Sequence, residues 1–204
     1  MKIKFTKYML AWGLAMIAAL PAAAAPTTWQ IDPKHSSAQF SVKHLMISTV
    51  RGEFHGLDGA IYFDDNDISK STVNVTIDAN SVDTHEPDRD KHLKSPDFFD
   101  TTKYPTITFK STKVEQVSAD KLRVSGDLTI HGVTKTVLLD VDRPAGAIKD
   151  PWGMQRSAVS ATTKINRQDF GVKWNQTLDS GGLAVSDEVN ITLDVEMVIP
   201  PAKK

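Results

Sequence analysis

Val189-Asn190-Ile191-Thr192-Leu193-Asp194-Val195-Glu196-Met197 alternates apolar and polar side chains, reaches Ile199 with one exception and stops at Pro200-Pro201. A period of two puts every second side chain on one face, so this is a long strand with one buried face and one wet face. Working outward, the same alternation recurs in Ala38/Phe40/Val42, Gly59/Ile61/Phe63, Val73/Val75/Ile77/Ala79, Ile107/Phe109, Leu122/Val124/Leu128/Ile130, Val133/Val137/Leu139/Val141 and Val159/Ala161/Ile165. With residues 50–54 the pattern predicts about nine strands. Gly56-Leu57-Asp58-Gly59, Asp64-Asp65-Asn66-Asp67, Ser118-Ala119-Asp120-Lys121 and His131-Gly132 supply turn residues between them, and short turns imply antiparallel neighbours. The fold class is all-β, a sandwich or a barrel.

Alternation fails in two places. Across residues 81–104 charged residues cluster around Leu93, Phe98 and Phe99, and short helices are expected there. Ser95-Pro96-Asp97 reads as a helix start, with serine at the N-cap, proline at the first position and an acid in the first turn. Residues 169–186, with Gly171, Gly181 and Gly182, read as a long loop.

Composition narrows the function classes. The 204 residues hold 24 Lys+Arg and 25 Asp+Glu and no cysteine, so thiol nucleophiles, cysteine-ligated zinc, iron–sulfur clusters and disulfides are excluded. The near-neutral charge lacks the basic footprint of a nucleic-acid binder, whose domain pI is usually above about 9. Lys2, Lys4 and Lys7 precede the uncharged residues 8–20, and Pro21 leads into four alanines, which is the order of a secretory signal peptide. Cleavage after Ala24 is predicted, leaving residues 25–204 as one domain with 21 basic and 25 acidic side chains. Pro21 interrupts the run before it reaches the roughly 20 apolar residues of a stable membrane span.

No catalytic or metal site emerges. The six histidines, at 35, 44, 55, 85, 92 and 131, lack metal-hydrolase spacing: His85 and His92 are seven apart, not an i, i+4 pair. Asp64-Asp65-Asn66-Asp67 lacks the glycine and distant glutamate of a calcium loop, and neither a nucleophile elbow nor a phosphate-binding glycine loop occurs. What remains is the apolar face. Eight or so strands closed on one another leave an interior that side chains fill or that holds one ligand, and periodicity does not choose between the two.

A series of short motifs resembles the bacterial YceI-like, polyisoprenoid-binding family from about residue 28 to 199. They include Phe40-Ser41-Val42-Lys43-His44-Leu45, Arg89-Asp90-Lys91-His92-Leu93, Asp97-Phe98-Phe99-Asp100, Gly126-Asp127-Leu128-Thr129-Ile130-His131-Gly132 and Ile165-Asn166-Arg167-Gln168-Asp169-Phe170-Gly171. Met46 departs from the family's common glycine, and Thr136 from its frequent proline. The resemblance implies an eight-stranded antiparallel β-barrel of extended lipocalin type with a short helical insertion, exported to the periplasm. Its apolar tunnel would hold an isoprenoid chain, polyprenyl or quinone, as ligand, with no other cofactor and no catalysis.

On that resemblance the lining falls to Phe40 and Val42, Phe54, Val75 and Ile77, Ile107 and Phe109, Leu128 and Ile130, Val137 and Leu139, and Ile191, Leu193 and Val195. Phe98 and Phe99 would cap the tunnel from the insertion. His44, Arg89, Asp90 and His92 form a polar set, either meeting a head group or bracing helix against barrel. The reading leaves room for transient contact with a membrane or membrane proteins and for a homodimer. The rivals are an enzyme acting on a lipid or quinone through His44 or His92, and a cargo-free stress-response interaction module.

Overall fold

Alternating sequence becomes eleven antiparallel strands: β1 (Thr27–Ile31), β2 (Ser37–His44), β3 (Ser48–Phe54), β4 (Leu57–Phe63), β5 (Thr72–Asp78), β6 (Thr106–Gln116), β7 (Lys121–Ile130), β8 (Val133–Asp142), β9 (Ile148–Lys149), β10 (Gln155–Asn166) and β11 (Glu188–Ile199). The computed structural model describes residues 26–179 and 181–199. The predicted export segment, residues 1–24, lies outside the described residues.

β11 closes the barrel. One edge pairs with β10 along all twelve residues, from Glu188↔Asn166 to Ile199↔Gln155. Its other edge pairs with β2 over Asn190–Asp194 and with β1 at Met197 and Val198. β1 and β2 are therefore two halves of one bent strand, interrupted at 32–36. β4 and β3 lie against them in the same way, interrupted at His55-Gly56. Counting each bent pair once, eight strands surround the interior: β1/β2, β3/β4, β5, β6, β7, β8, β10 and β11.

This geometry corrects one predicted turn. Gly56-Leu57-Asp58-Gly59 does not join a hairpin, because β3 and β4 run in the same direction on different partners. Gly56 (φ +67°) makes the bend. Gly59 lies within β4, where a Cβ would stand 2.1 Å from the Asn74 carbonyl oxygen of β5. The other three predicted turns do join paired neighbours. β1 and the two-residue β9 carry too few alternating positions for the sequence to announce them.

β6 contains a register shift between Ser111 and Lys113. The extra residue reverses the parity of the strand, so Val114 faces inward together with Ile107 and Phe109.

The helix also starts earlier than predicted. α1 spans Pro87–Lys94, and Glu86 caps it by accepting from the Asp88 and Arg89 amides, with Pro87 at its start and Asp88 and Asp90 in the first turn. Ser95 instead ends the helix. Its amide donates to His92 O at 3.0 Å, and its carbonyl accepts from Phe98 and Asp100 at 3.0 and 2.9 Å, forming a tight turn. That turn brings Phe98 and Phe99 back over one end of the barrel.

Candidate functional site: an apolar tunnel

The inward positions enclose a cavity of about 250 Å³. Val189, Ile191, Leu193, Val195 and Met197, alternate residues of β11, all line it. The eight steps from Val189 to Met197, at about 3.3 Å each, make that stretch of strand about 26 Å long. So small a volume over such a length is a narrow channel, shaped for an extended chain and not for a compact ring. All sixteen residues proposed for the lining border this space, including Phe98 and Phe99 at the helical end. Sequence reasoning missed others, among them Ile31, Leu57, Leu93, Val114, Phe170, Val172 and Val185. Val114 was hidden by the bulge, Phe170 ends a single 3-10 turn (Arg167–Phe170), and Val172 and Val185 stand in irregular chain without periodicity.

Two glycines keep the channel open. Gly52 and Gly126 occupy inward positions of β3 and β7, and the Phe40 and Phe109 rings of neighbouring strands lie over their bare backbone. A Cβ there would stand 2.5 Å from Phe40 Cζ and 2.3 Å from Phe109 Cζ. With glycine, each ring occupies the space that a Cβ would take.

The few polar lining groups already have partners. Ser71 Oγ accepts from the Asp64 amide at 3.0 Å, and Thr163 Oγ1 donates to Leu138 O at 2.7 Å. Arg167, 6% exposed, spends all five N–H groups on the chain around the tunnel end. Nη1 donates to Val172 O and Trp174 O at 2.7 and 2.8 Å, Nε to Ser186 O at 3.0 Å, and Nη2 to Val185 O and Asp187 Oδ1 at 3.4 and 3.2 Å. Burial pulls this guanidinium below its ordinary pKa, opposed by Asp187. Among the described residues no buried side-chain polar atom lacks a partner. The wall therefore offers a ligand apolar contact alone.

Aromatic rings pack across the helical end. Trp174 packs on Phe98 at 5.2 Å and edge-on to His92 at 5.1 Å, joining the 171–187 loop to the insertion. Phe99 packs edge-on to Phe54 at 5.3 Å.

His44, Arg89, Asp90 and His92 do not border the tunnel. Arg89 Nε and Asp90 Oδ1 both meet the hydroxyl of buried Thr84, at 2.7 and 2.5 Å, and Arg89 Nη2 also donates to Thr84 O. These two side chains hold the helix to the segment that bridges β3 at Glu53. His92 Nε2 lies 2.8 Å from Asp97 Oδ2, and His44 is exposed at the end of β2.

Asp32, His35 and Glu196 bring three metal-ligand types together at the break between β1 and β2. The Arg156 guanidinium already fills that space. It binds Asp32 at 2.8 Å and Asp150 at 2.7 Å, and contacts Glu196. Burial works against the Asp32 charge, but hydrogen bonds from Arg156 and His35 prevail and lower its pKa to about 2.

A closed eight-stranded antiparallel barrel around an apolar channel, with a short helical insertion packed at one end, defines a lipocalin-like barrel. The comparisons make that class specific. A YceI-like domain matches residues 29–197, and the chain belongs to the YceI-like family. It is 42% identical over 169 residues to a UPF0312 protein of Vibrio cholerae, covering 82% of this chain and 89% of that one. Among solved structures, Burkholderia cenocepacia BcnA is similar with a TM-score of 0.69 and 25% identity, over 81% of this chain and 98% of its own. A polyisoprenoid binding domain from Saccharophagus degradans, implicated in plant cell wall breakdown, shares the fold with a TM-score of 0.60 and 19% identity, over 84% of this chain and 98% of that one.

Proposed function

We propose that the protein holds an isoprenoid chain, the tail of a polyprenyl lipid or an isoprenoid quinone, in the barrel channel as a carrier or sequestering protein of the periplasm. The observation that carries this reading is a narrow channel walled by about 26 Å of β11 whose lining is almost entirely apolar. Such a wall recognises length and apolarity and leaves any polar head at an opening. The isoprenoid nature of the chain is supported by the related fold of the Saccharophagus degradans domain, and the periplasmic location by the order of charge, apolar run and small residues in 1–24.

The role is binding without turnover. Affinity comes from burying the chain, about 25 cal/mol per Å² before ordering costs are subtracted. The test is native mass spectrometry and solvent extraction of the full-length gene product, purified after export from its own cells. One isoprenoid lipid per barrel, released unchanged, is the expected result. Recovery of no lipid, together with no uptake of added polyprenyl phosphate or quinone, would overturn it. His44→Ala and His92→Ala proteins should retain the lipid, and conversion of bound lipid to a product by the unmodified protein alone would favour an enzyme. Osmotic-shock release of a mature chain beginning at Ala25 tests the location.

A further inference from the structure

The geometry points to the β2–β3 hairpin as a docking finger for an anionic phospholipid surface. Its turn runs from His44 to Ile47, closed by the Ile47 amide donating to His44 O at 3.1 Å. The three apolar residues at its tip stand in solvent: Leu45 is 36% exposed, Met46 57% and Ile47 84%. Leu45 and Met46 also adopt φ of +51° and +61°, the left-handed region that Asn-Gly occupies readily in such hairpin turns and larger side chains enter at a cost. Strain and apolar exposure both disfavour the isolated barrel, and they coincide in one turn. A bilayer interface would relieve the second.

Charge on the same hairpin fits an anionic surface. Lys43 and Arg51 lie on its outward face, flank the groove beside Met46 and, among the described residues, pair with no carboxylate. Of the acids nearby, Glu188 pairs with Lys164 at 3.0 Å and Asp187 with Arg167 at 3.2 Å, and Glu53, two residues along β3 from Arg51, lies 3.6 Å from His55 Nε2. A second exposed apolar pair, Ile148 and Trp152, lies at the opposite end of β11, where Asp32, Asp150 and Glu196 share the single Arg156 guanidinium and exposed Lys149 is the neighbouring cation. The finger is also fixed to the tunnel. The Leu45 amide donates to Ala184 O at 2.8 Å, and Val42 and Val185 beside it line the channel. Docking would set that end of the channel against the bilayer, yet the surface itself does not depend on what the channel holds.

Vesicle co-sedimentation tests the assignment, using phosphatidylglycerol-containing and pure phosphatidylcholine vesicles. The unmodified protein should sediment with the anionic vesicles and release as salt rises. Lys43→Ser with Arg51→Ser should weaken that binding about thirty-fold, from about 1 kcal/mol for each cation near the surface. Leu45→Asn with Met46→Gly should abolish it while raising the melting temperature, because the replacement turn is unstrained; this pairing separates lost docking from lost folding. Trp152→Ala should bind as the unmodified protein does. The assignment falls if the unmodified protein ignores both vesicle types, if the Asn-Gly variant still binds, if Trp152→Ala removes binding, or if inorganic phosphate at millimolar concentration competes fully, marking a free-ion site. Lipid extraction of the Asn-Gly variant keeps the two readings apart: a loaded channel without vesicle binding supports both, and an empty channel in a vesicle-binding unmodified protein defeats only the cargo.

Discussion

At Gly126 a single missing Cβ decides how much room the interior has. The Phe109 ring occupies the space, and the pattern Leu122/Val124/Leu128/Ile130 skips one inward position there, a gap the sequence displays without explaining. Gly126→Ala should drive the ring toward the channel, costing about 1–3 kcal/mol of stability by overpacking and reducing lipid uptake more than stability alone accounts for. Thermal melts beside lipid titration distinguish the two effects. Arg167 is the opposite case, a residue whose partners no local pattern foretells. Its five donors meet Val172, Trp174, Val185, Ser186 and Asp187, which lie 5 to 20 positions away along irregular chain. Arg167→Met should leave four carbonyls and one carboxylate short of donors and destabilise the fold by about 3–5 kcal/mol, read from denaturant midpoints. The Trp174 environment should loosen with it, visible as a red-shifted tryptophan emission.

Among elements, the bent strands carry the information that alternation alone does not. A two-residue period says which face a residue occupies, and it says nothing about whether a Gly-rich break reverses the chain or merely bends it. Partner strands settle that: β3 pairs with β2 and β4 with β1, so the chain goes on past Gly56. The break between β1 and β2 is held by Arg156 among Asp32, Asp150 and Glu196. Because Asp32 has its folded pKa lowered to about 2 from 3.8, its contribution is fully present above pH 4 and is lost as pH falls from 4 toward 2. Asp32→Asn should cost on the order of 1–2 kcal/mol at pH 7, after allowing for solvent screening, and should flatten the acid limb of the stability profile. The insertion shows a related ambiguity. Glu86-Pro87-Asp88 and Ser95-Pro96-Asp97 carry nearly the same start signal. Only the first is followed by residues free to continue, since Phe99 and Thr101 donate back to Leu93 and Lys94.

For the whole molecule, the absence of cysteine acquires weight. The barrel stands on its apolar interior without disulfides, and that same interior keeps a channel open. A bound chain fills the space and binds only the folded state, so stripping it should lower the melting temperature. At a hundredfold excess of ligand over Kd the expected difference is about 5–10 °C, measured by calorimetry before and after delipidation. An unchanged value would show that the channel is empty in the working protein.

The amino-acid sequence by itself determined the all-β class, the family and the parity of every long strand up to the bulge in β6, and through parity the fourteen lining positions that lie on strands. Those properties are local, because a strand's two faces follow from its own order of apolar and polar side chains. Tertiary structure decided what parity leaves open. Closure required β11 to take β10 on one edge and two different strands on the other, the bulge at 111–113 turned Val114 inward, and the Arg167 hub assembled the tunnel end from distant loops. Each depends on which segments meet across the barrel, a matter of long-range pairing and packing that no run of neighbouring residues encodes.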